Sequence, residues 1–120
     1  VAFKKEHAKA MLFHDLLESE GERLASLLPK QPLSCFITPN HWDPYDEPAY
    51  RGKLGYIFTE ADQILPVDVQ KTFASSAGIH YTRMLKDSSH SPHLENPNDL
   101  AKIVIGLLGD VMEHAAVSLQ

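Results

Sequence analysis

The sequence predicts an α/β domain organised round a short parallel strand–helix–strand unit flanked by helices, and three stretches predict it. Leu54-Gly55-Tyr56-Ile57-Phe58-Thr59 is a brief run of apolar, aromatic and β-branched residues between Gly52 and the turn Glu60 to Gln63, which is how a strand reads. Pro66, with Asp68 close behind, opens a helix of about Pro66 to Ala77, and Gly78 follows its last periodic residue. Proline loses nothing in a first turn, where its missing N–H has no helical partner, and glycine suits the position just past the last turn. Ile79 to Leu85 then sets Ile79, Tyr81, Arg83 and Leu85 against His80, Thr82 and Met84, a period of two. A helix between two strands rules out a tight hairpin, so the strands run parallel, joined by a right-handed crossover.

The flanking elements follow from similar signals. Val1 to about Phe13 mixes Lys, Glu, Ala, Met and Phe, with Phe3, His7, Ala10 and Met11 on one side at helical spacing. A second helix begins after Asp15, whose pairing with Glu18 three residues on has the pattern of a capping box; Leu17, Leu24, Leu27 and Leu28 supply its apolar stripe. Pro29 and Pro32 close it. From Thr38 to Gly52 the chain is aperiodic and rich in Pro, Asp, Tyr and Asn, a loop. Trp42, Tyr45 and Tyr50 there either pin the loop to the core or line a pocket, the first being the commoner use of a ring in a long loop. Val69 and Phe73 face one way on the central helix. Asn96 caps the last helix, Pro97 opens it and Asp99 faces its positive end. Leu100, Ile103, Val104, Leu107, Leu108, Val111 and Ala115 form its buried face, with Lys102, Asp110 and Glu113 outward.

Composition narrows the partners. The chain has 120 residues, 43% of them hydrophobic and 22% charged, the balance of one ordinary globular domain. Its net charge of -5 comes without a basic cluster, which excludes an electrostatic footprint for nucleic acid. No apolar run approaches the roughly 18 residues a membrane span needs, and Val-Ala-Phe-Lys-Lys lacks the apolar core of a signal peptide, so the expected location is cytoplasmic. Cys35 is the single cysteine, expected as a small buried apolar residue in a reducing compartment.

Parallel neighbours end at the same sheet edge, where open α/β sheets place ligands and catalytic groups. Asp62 lies just past the end of the first strand and His90 a few residues past the second, so the two side chains can meet there. A carboxylate that holds an imidazole fixes its tautomer and stabilises the imidazolium formed on proton uptake, which is the base half of a nucleophilic or proton-transfer site. On spacing alone, Asp62 as a turn former and His90 as a loop residue is an equal reading.

Thr59-Glu60-Ala61-Asp62-Gln63-Ile64-Leu65-Pro66 with Gln70, followed by Ser88-Ser89-His90-Ser91-Pro92-His93-Leu94-Glu95-Asn96-Pro97, resembles the acid turn and histidine loop of α/β hydrolases. The closest likeness is to fungal members and to their plant methylesterase and hydroxynitrile-lyase relatives. Leu12-Phe13-His14-Asp15 and the helix after it resemble the end of the fungal lid. The resemblance implies a truncated α/β-hydrolase-like fold, with lid-like helices and a linker loop over residues 1–52 and the C-terminal βαβα portion over 53–120. It makes Asp62 the triad acid, with Glu60 the nearby alternative, and His90 the triad histidine. Trp42, Tyr45 and His93 are the expected substrate-binding residues; His93 stands where relatives have an apolar residue. His90 and His93 have no third ligand at a supportive spacing, so no metal or other cofactor is expected. His41, His80 and His114 are expected at the surface or in packing.

The G-x-S-x-G elbow that carries the nucleophile in this family does not occur in the sequence. Ser34, Ser75, Ser76, Ser88, Ser89, Ser91 and Cys35 lack its glycine context. Three functions stay open. The chain serves ester or lactone hydrolysis of a hydrophobic small molecule together with a complementary N-terminal half. Alternatively, it is a small enzyme using His90 and Asp62 for lyase, isomerase or cyclase chemistry without a covalent intermediate, or a binding remnant. A two-stranded sheet with exposed edges also needs cover, which a complementary half or a homodimer would provide.

Overall fold

A computed structural model describes residues 4–39, 45 and 47–117. Helices α1 (Lys5–Leu12), α2 (Glu18–Leu27) and the short α3 (Ser34–Ile37) precede a 3₁₀ turn at Pro48–Tyr50. Strand β1 (Gly55–Thr59), helix α4 (Val67–Ser76) and strand β2 (Tyr81–Leu85) form the central unit, followed by the short α5 (Pro92–Glu95) and the long α6 (Pro97–Val117). Among the described residues the sheet is β1 beside β2, parallel, in register from Gly55 opposite Tyr81 to Thr59 opposite Leu85. The predicted α/β unit is present, helix between parallel strands. No helix among the described residues is long and apolar enough to cross a membrane.

Alternation along the strands sorts their side chains between two helices. Tyr56 and Phe58, ring centroids 5.0 Å apart, pack with Met84, Ala74 and Ile79 on the α4 side. On the other side Gly55 and Ile57 meet α6, Arg83 pairs with Asp110, and Tyr81 meets the His114 ring edge-on at 5.9 Å. Gly55 is required for the close approach of α6: a Cβ there would sit 2.6 Å from Leu107 Cδ2. At the other end of the crossover Gly78 has φ +63, the left-handed conformation that ends α4.

A second apolar cluster lies between α1 and α2, where Ala8, Phe13 and Ala25 are buried with Leu12, Leu16 and Leu24 against them. The chain is correspondingly long, 54 × 34 × 23 Å with a radius of gyration of 16.9 Å. A compact chain of this length would have roughly 13–14 Å.

Several expectations about faces and caps are corrected. Leu17, not Asp15, is the N-cap of α2 and makes no side-chain cap; Asp15 pairs instead with its neighbour His14, which pulls it away from the helix end. The stripe Leu17, Leu27 and Leu28 is exposed, and α2 buries Gly21 and Ala25 against α1, where a Cβ at Gly21 would lie 3.3 Å from Phe13 O. On α4, Val69 and Phe73 face solvent, while Gln70 and Ala74 face the sheet. Cys35 is exposed on α3. Tyr45 and Tyr50 are about half exposed. Of the expected buried face of α6, Leu107 is buried but Val104 and Leu108 are exposed; the side chain of Ala115 lies outside the described residues.

Candidate active site

The acid turn is built from the end of β1. Asp62 Oδ1 accepts the backbone N–H groups of Ile64 and Leu65, both at 2.9 Å, which folds the chain into a tight turn ahead of α4. Oδ2 accepts the Thr59 hydroxyl at 3.1 Å and faces His90 Nδ1 at 2.9 Å. The expected pair therefore meets, and Asp62 rather than Glu60 holds the imidazole. Glu60 turns to the other side of the loop, where its carboxylate accepts the Asp87 N–H at 3.3 Å.

Gln70 organises the turn from within. Its side chain is fully buried on α4, and Oε1 accepts the Thr59 N–H at 3.0 Å while Nε2 donates to the Thr59 carbonyl at 2.9 Å and the Leu65 carbonyl at 2.7 Å. One carboxamide thus clamps both ends of the segment that presents Asp62. On the histidine side, Ala61 N–H donates to Ser88 O at 2.9 Å, tying the two loops together. Glu95 on α5 accepts from the Ser88 hydroxyl at 3.1 Å and the Ser89 N–H at 3.0 Å, bracing the residues just before His90.

The side chain of Asp62 is 4% exposed and that of His90 38%. Burial pushes the Asp62 carboxyl up, but the N–H groups of Leu65 and Ile64 and the His90 imidazole outweigh it and hold the carboxyl below its ordinary range. An ionised Asp62 accepts Nδ1–H, and this tautomer leaves the Nε2 lone pair free. Among the described residues Nε2 has no hydrogen-bond partner, so the arrangement can take up a proton from a group brought to the open face of the ring.

The other expected site residues lie apart from the pair. Trp42 and His41 fall outside the described residues. Tyr45 lines a hollow of about 330 Å³ with Arg51, Leu54, His80 and Tyr81, at the end of the sheet where the strands begin, opposite to His90. His93 is exposed on α5, three residues beyond His90. Among the described residues no group of three or more His, Cys, Asp and Glu side chains is placed to hold a metal ion. The supporting roles of Glu95 and Thr59 were missed from sequence. A short polar side chain that closes a strand, and an acid that serves a loop seven residues earlier, carry no periodic signal.

No family model, curated protein or solved structure matches the chain.

Proposed function

We propose that Asp62 and His90 are the acid–histidine pair of an α/β-hydrolase-type site that hydrolyses an ester or lactone of a hydrophobic small molecule. The observation that carries the reading is the 2.9 Å contact between a buried carboxylate and Nδ1 of a half-exposed imidazole, at the C-terminal edge of a parallel sheet. The resemblance of the acid turn and histidine loop to those of fungal α/β hydrolases supports it. In this role His90 Nε2 takes the proton of the attacking hydroxyl and returns it to the leaving alcohol, while Asp62 stabilises the imidazolium between the two steps. The attacking group comes from outside the described residues.

A second reading has an observation in its favour. Nε2 faces no hydroxyl among the described residues, which suits direct proton transfer to and from a bound substrate, as in a lyase, isomerase or cyclase. One experiment separates the two. The purified protein is treated with a fluorophosphonate probe and assayed against p-nitrophenyl esters and small lactones, beside His90→Ala. Labelling and turnover that both vanish in His90→Ala support hydrolysis through a nucleophile. Turnover of an isomerisable or eliminable substrate without labelling supports the second reading. Absence of any His90-dependent activity overturns both and leaves a binding role.

A further inference from the structure

Among the described residues the free edge of β1 is open at Gly55 and Ile57, and one apolar face of α6 is exposed beside it. Glu60 N–H donates to Leu85 O, so Glu60, Phe58 and Tyr56 direct their backbone groups toward β2. In an extended strand alternate residues point to opposite sides, so Gly55, Ile57 and Thr59 direct theirs away from β2. At Thr59 both groups are taken by the Gln70 carboxamide, which receives the N–H and donates to the carbonyl as a neighbouring strand would. Gly55 and Ile57 face no further strand among the described residues.

Next to these two residues runs an apolar groove of about 350 Å³ between Gly55 and Ile57 on β1 and Val104, Leu107, Leu108 and Val111 on α6. The apolar surface continues round the helix: Ile105 is 70% exposed, Leu108 55% and Met112 70%. A patch of this kind beside an open strand edge is what monomeric proteins avoid.

We infer that this surface is the contact between two copies of the chain, joined by antiparallel pairing of β1 with the partner's β1 about a two-fold axis through Tyr56. The register follows from the open groups. Gly55 falls opposite the partner's Ile57, and Ile57 opposite the partner's Gly55. All the outward N–H and C=O groups of both residues are then used, in four hydrogen bonds. The Gln70 carboxamides stop the pairing at Thr59 in each copy, and the Lys53 N–H, bonded to the Tyr50 carbonyl at 2.9 Å, is closed to it at the other end.

The helices fit the same axis. A two-fold normal to the sheet leaves both α6 helices on one face of a four-stranded sheet. Strands lie roughly 4.8 Å apart, so helices seated over the midpoints of each β1–β2 pair would be roughly 10 Å apart, the packing distance of two helices. Val104, Ile105, Leu108 and Met112 would then close on their counterparts, and the groove of each copy would be filled by the other. The combined strand and helix contact has the make-up of a two-fold interface, where one patch is complementary to itself. The inference does not rest on the catalytic reading, because its test measures mass and not turnover.

The test is sedimentation velocity on the purified chain at micromolar concentration, beside Ile57→Pro and Ile105→Lys. The first removes an outward N–H that β2 does not use; the second puts a charge at the centre of the bare helix face without touching the core. The expected result is a wild-type species of twice the 13.4 kDa chain mass. Both variants should keep the wild-type circular dichroism and dissociate about a hundredfold more readily. If Ile57→Pro unfolds, Ile105→Lys alone decides the matter. A monomeric wild type, or a dimer unaffected by Ile105→Lys, overturns the inference, as does a wild type that stays single until a separate strand-bearing protein is added.

Discussion

Replacing Gln70 by leucine tests whether one carboxamide holds the acid turn. The side chain is fully buried, and its loss leaves the Thr59 N–H, the Thr59 carbonyl and the Leu65 carbonyl without partners. Each unsatisfied buried group costs about 1–3 kcal/mol, so the three together cost about 3–9 kcal/mol. The apolar area of leucine returns roughly 1 kcal/mol, since the site already excludes water. A net loss of about 2–8 kcal/mol is a large share of the stability of a domain this size, which is of order 5–15 kcal/mol. Urea unfolding followed by circular dichroism reads this as a lower midpoint at unchanged slope. Hydrogen exchange should localise the change to the Thr59 amide. Gln70→Glu supplies the control, because it keeps the shape and the acceptor for Thr59 N–H but turns a carboxylate toward two carbonyl oxygens. Its folded-state pKa is then raised, so its deficit relative to wild type should be constant above that value and shrink as pH falls through it toward the unfolded value, where the protonated carboxyl regains a donor. A Gln70→Leu protein within 1 kcal/mol of wild type would refute the reasoning.

Asp62→Asn should keep the fold with a modest loss of stability, since the amide oxygen can still accept the Ile64 and Leu65 N–H groups but without the charge that strengthens those bonds, while its NH₂ donates to His90 Nδ1 and moves the ring proton to Nε2. On the hydrolase reading this lowers kcat about 10⁴-fold, and an effect under tenfold would mean that the tautomer is irrelevant to the activity measured. Acid unfolding should carry the mark of the same carboxylate. Its pKa is depressed in the folded state, so its contribution is fully present above the unfolded value near 4 and is lost as pH falls through the lower folded value. The stability difference between wild type and Asp62→Asn should therefore be flat at neutral pH and shrink only below about pH 4, and a difference that changes between pH 5 and 7 would contradict the assignment. Gly55→Ala places a Cβ 2.6 Å from Leu107 Cδ2 and should cost about 1–3 kcal/mol, most of it recovered in a double variant with Leu107→Ala, as a thermal-unfolding cycle would show.

The central unit was legible because its signals are local. The Leu54 to Thr59 run, the Pro66 start, the Gly78 stop and the alternation after it each mark one backbone event, and together they leave a single arrangement. The meeting of Asp62 and His90 was legible for the same reason: parallel strands of equal length deliver their following turns to one edge. The errors concern which face of a helix is buried. On α4 the large apolar residues Val69 and Phe73 are the exposed ones, and the buried positions hold Gln70 and Ala74. A periodicity argument counts hydrophobicity and passes over a glutamine whose burial depends on the strand-edge groups it satisfies. On α2 the close contact with α1 selects Gly21 and Ala25 and leaves the leucines outside. The capping box failed because Asp15 had a nearer partner in His14.

The burial of Gln70 on α4 also explains how so small a sheet presents a site at all. A two-stranded sheet offers few backbone partners, so side chains stand in for the strands it lacks. Gln70 completes the edge of β1 at Thr59, Asp62 completes the turn at Ile64 and Leu65, and Glu95 completes the loop at Ser89. Each substitute is polar, buried or half-buried, and bonded to backbone, and each fixes one end of the path from β1 to His90. The 2.9 Å contact between Asp62 and His90 is thus held by side-chain-to-backbone bonds rather than by the depth of the core. The site should accordingly respond more to loss of these polar groups than to trimming of apolar ones such as Val69 or Phe73. At Gly55 and Ile57 no side chain among the described residues substitutes, and those are the groups that the inferred second copy would complete.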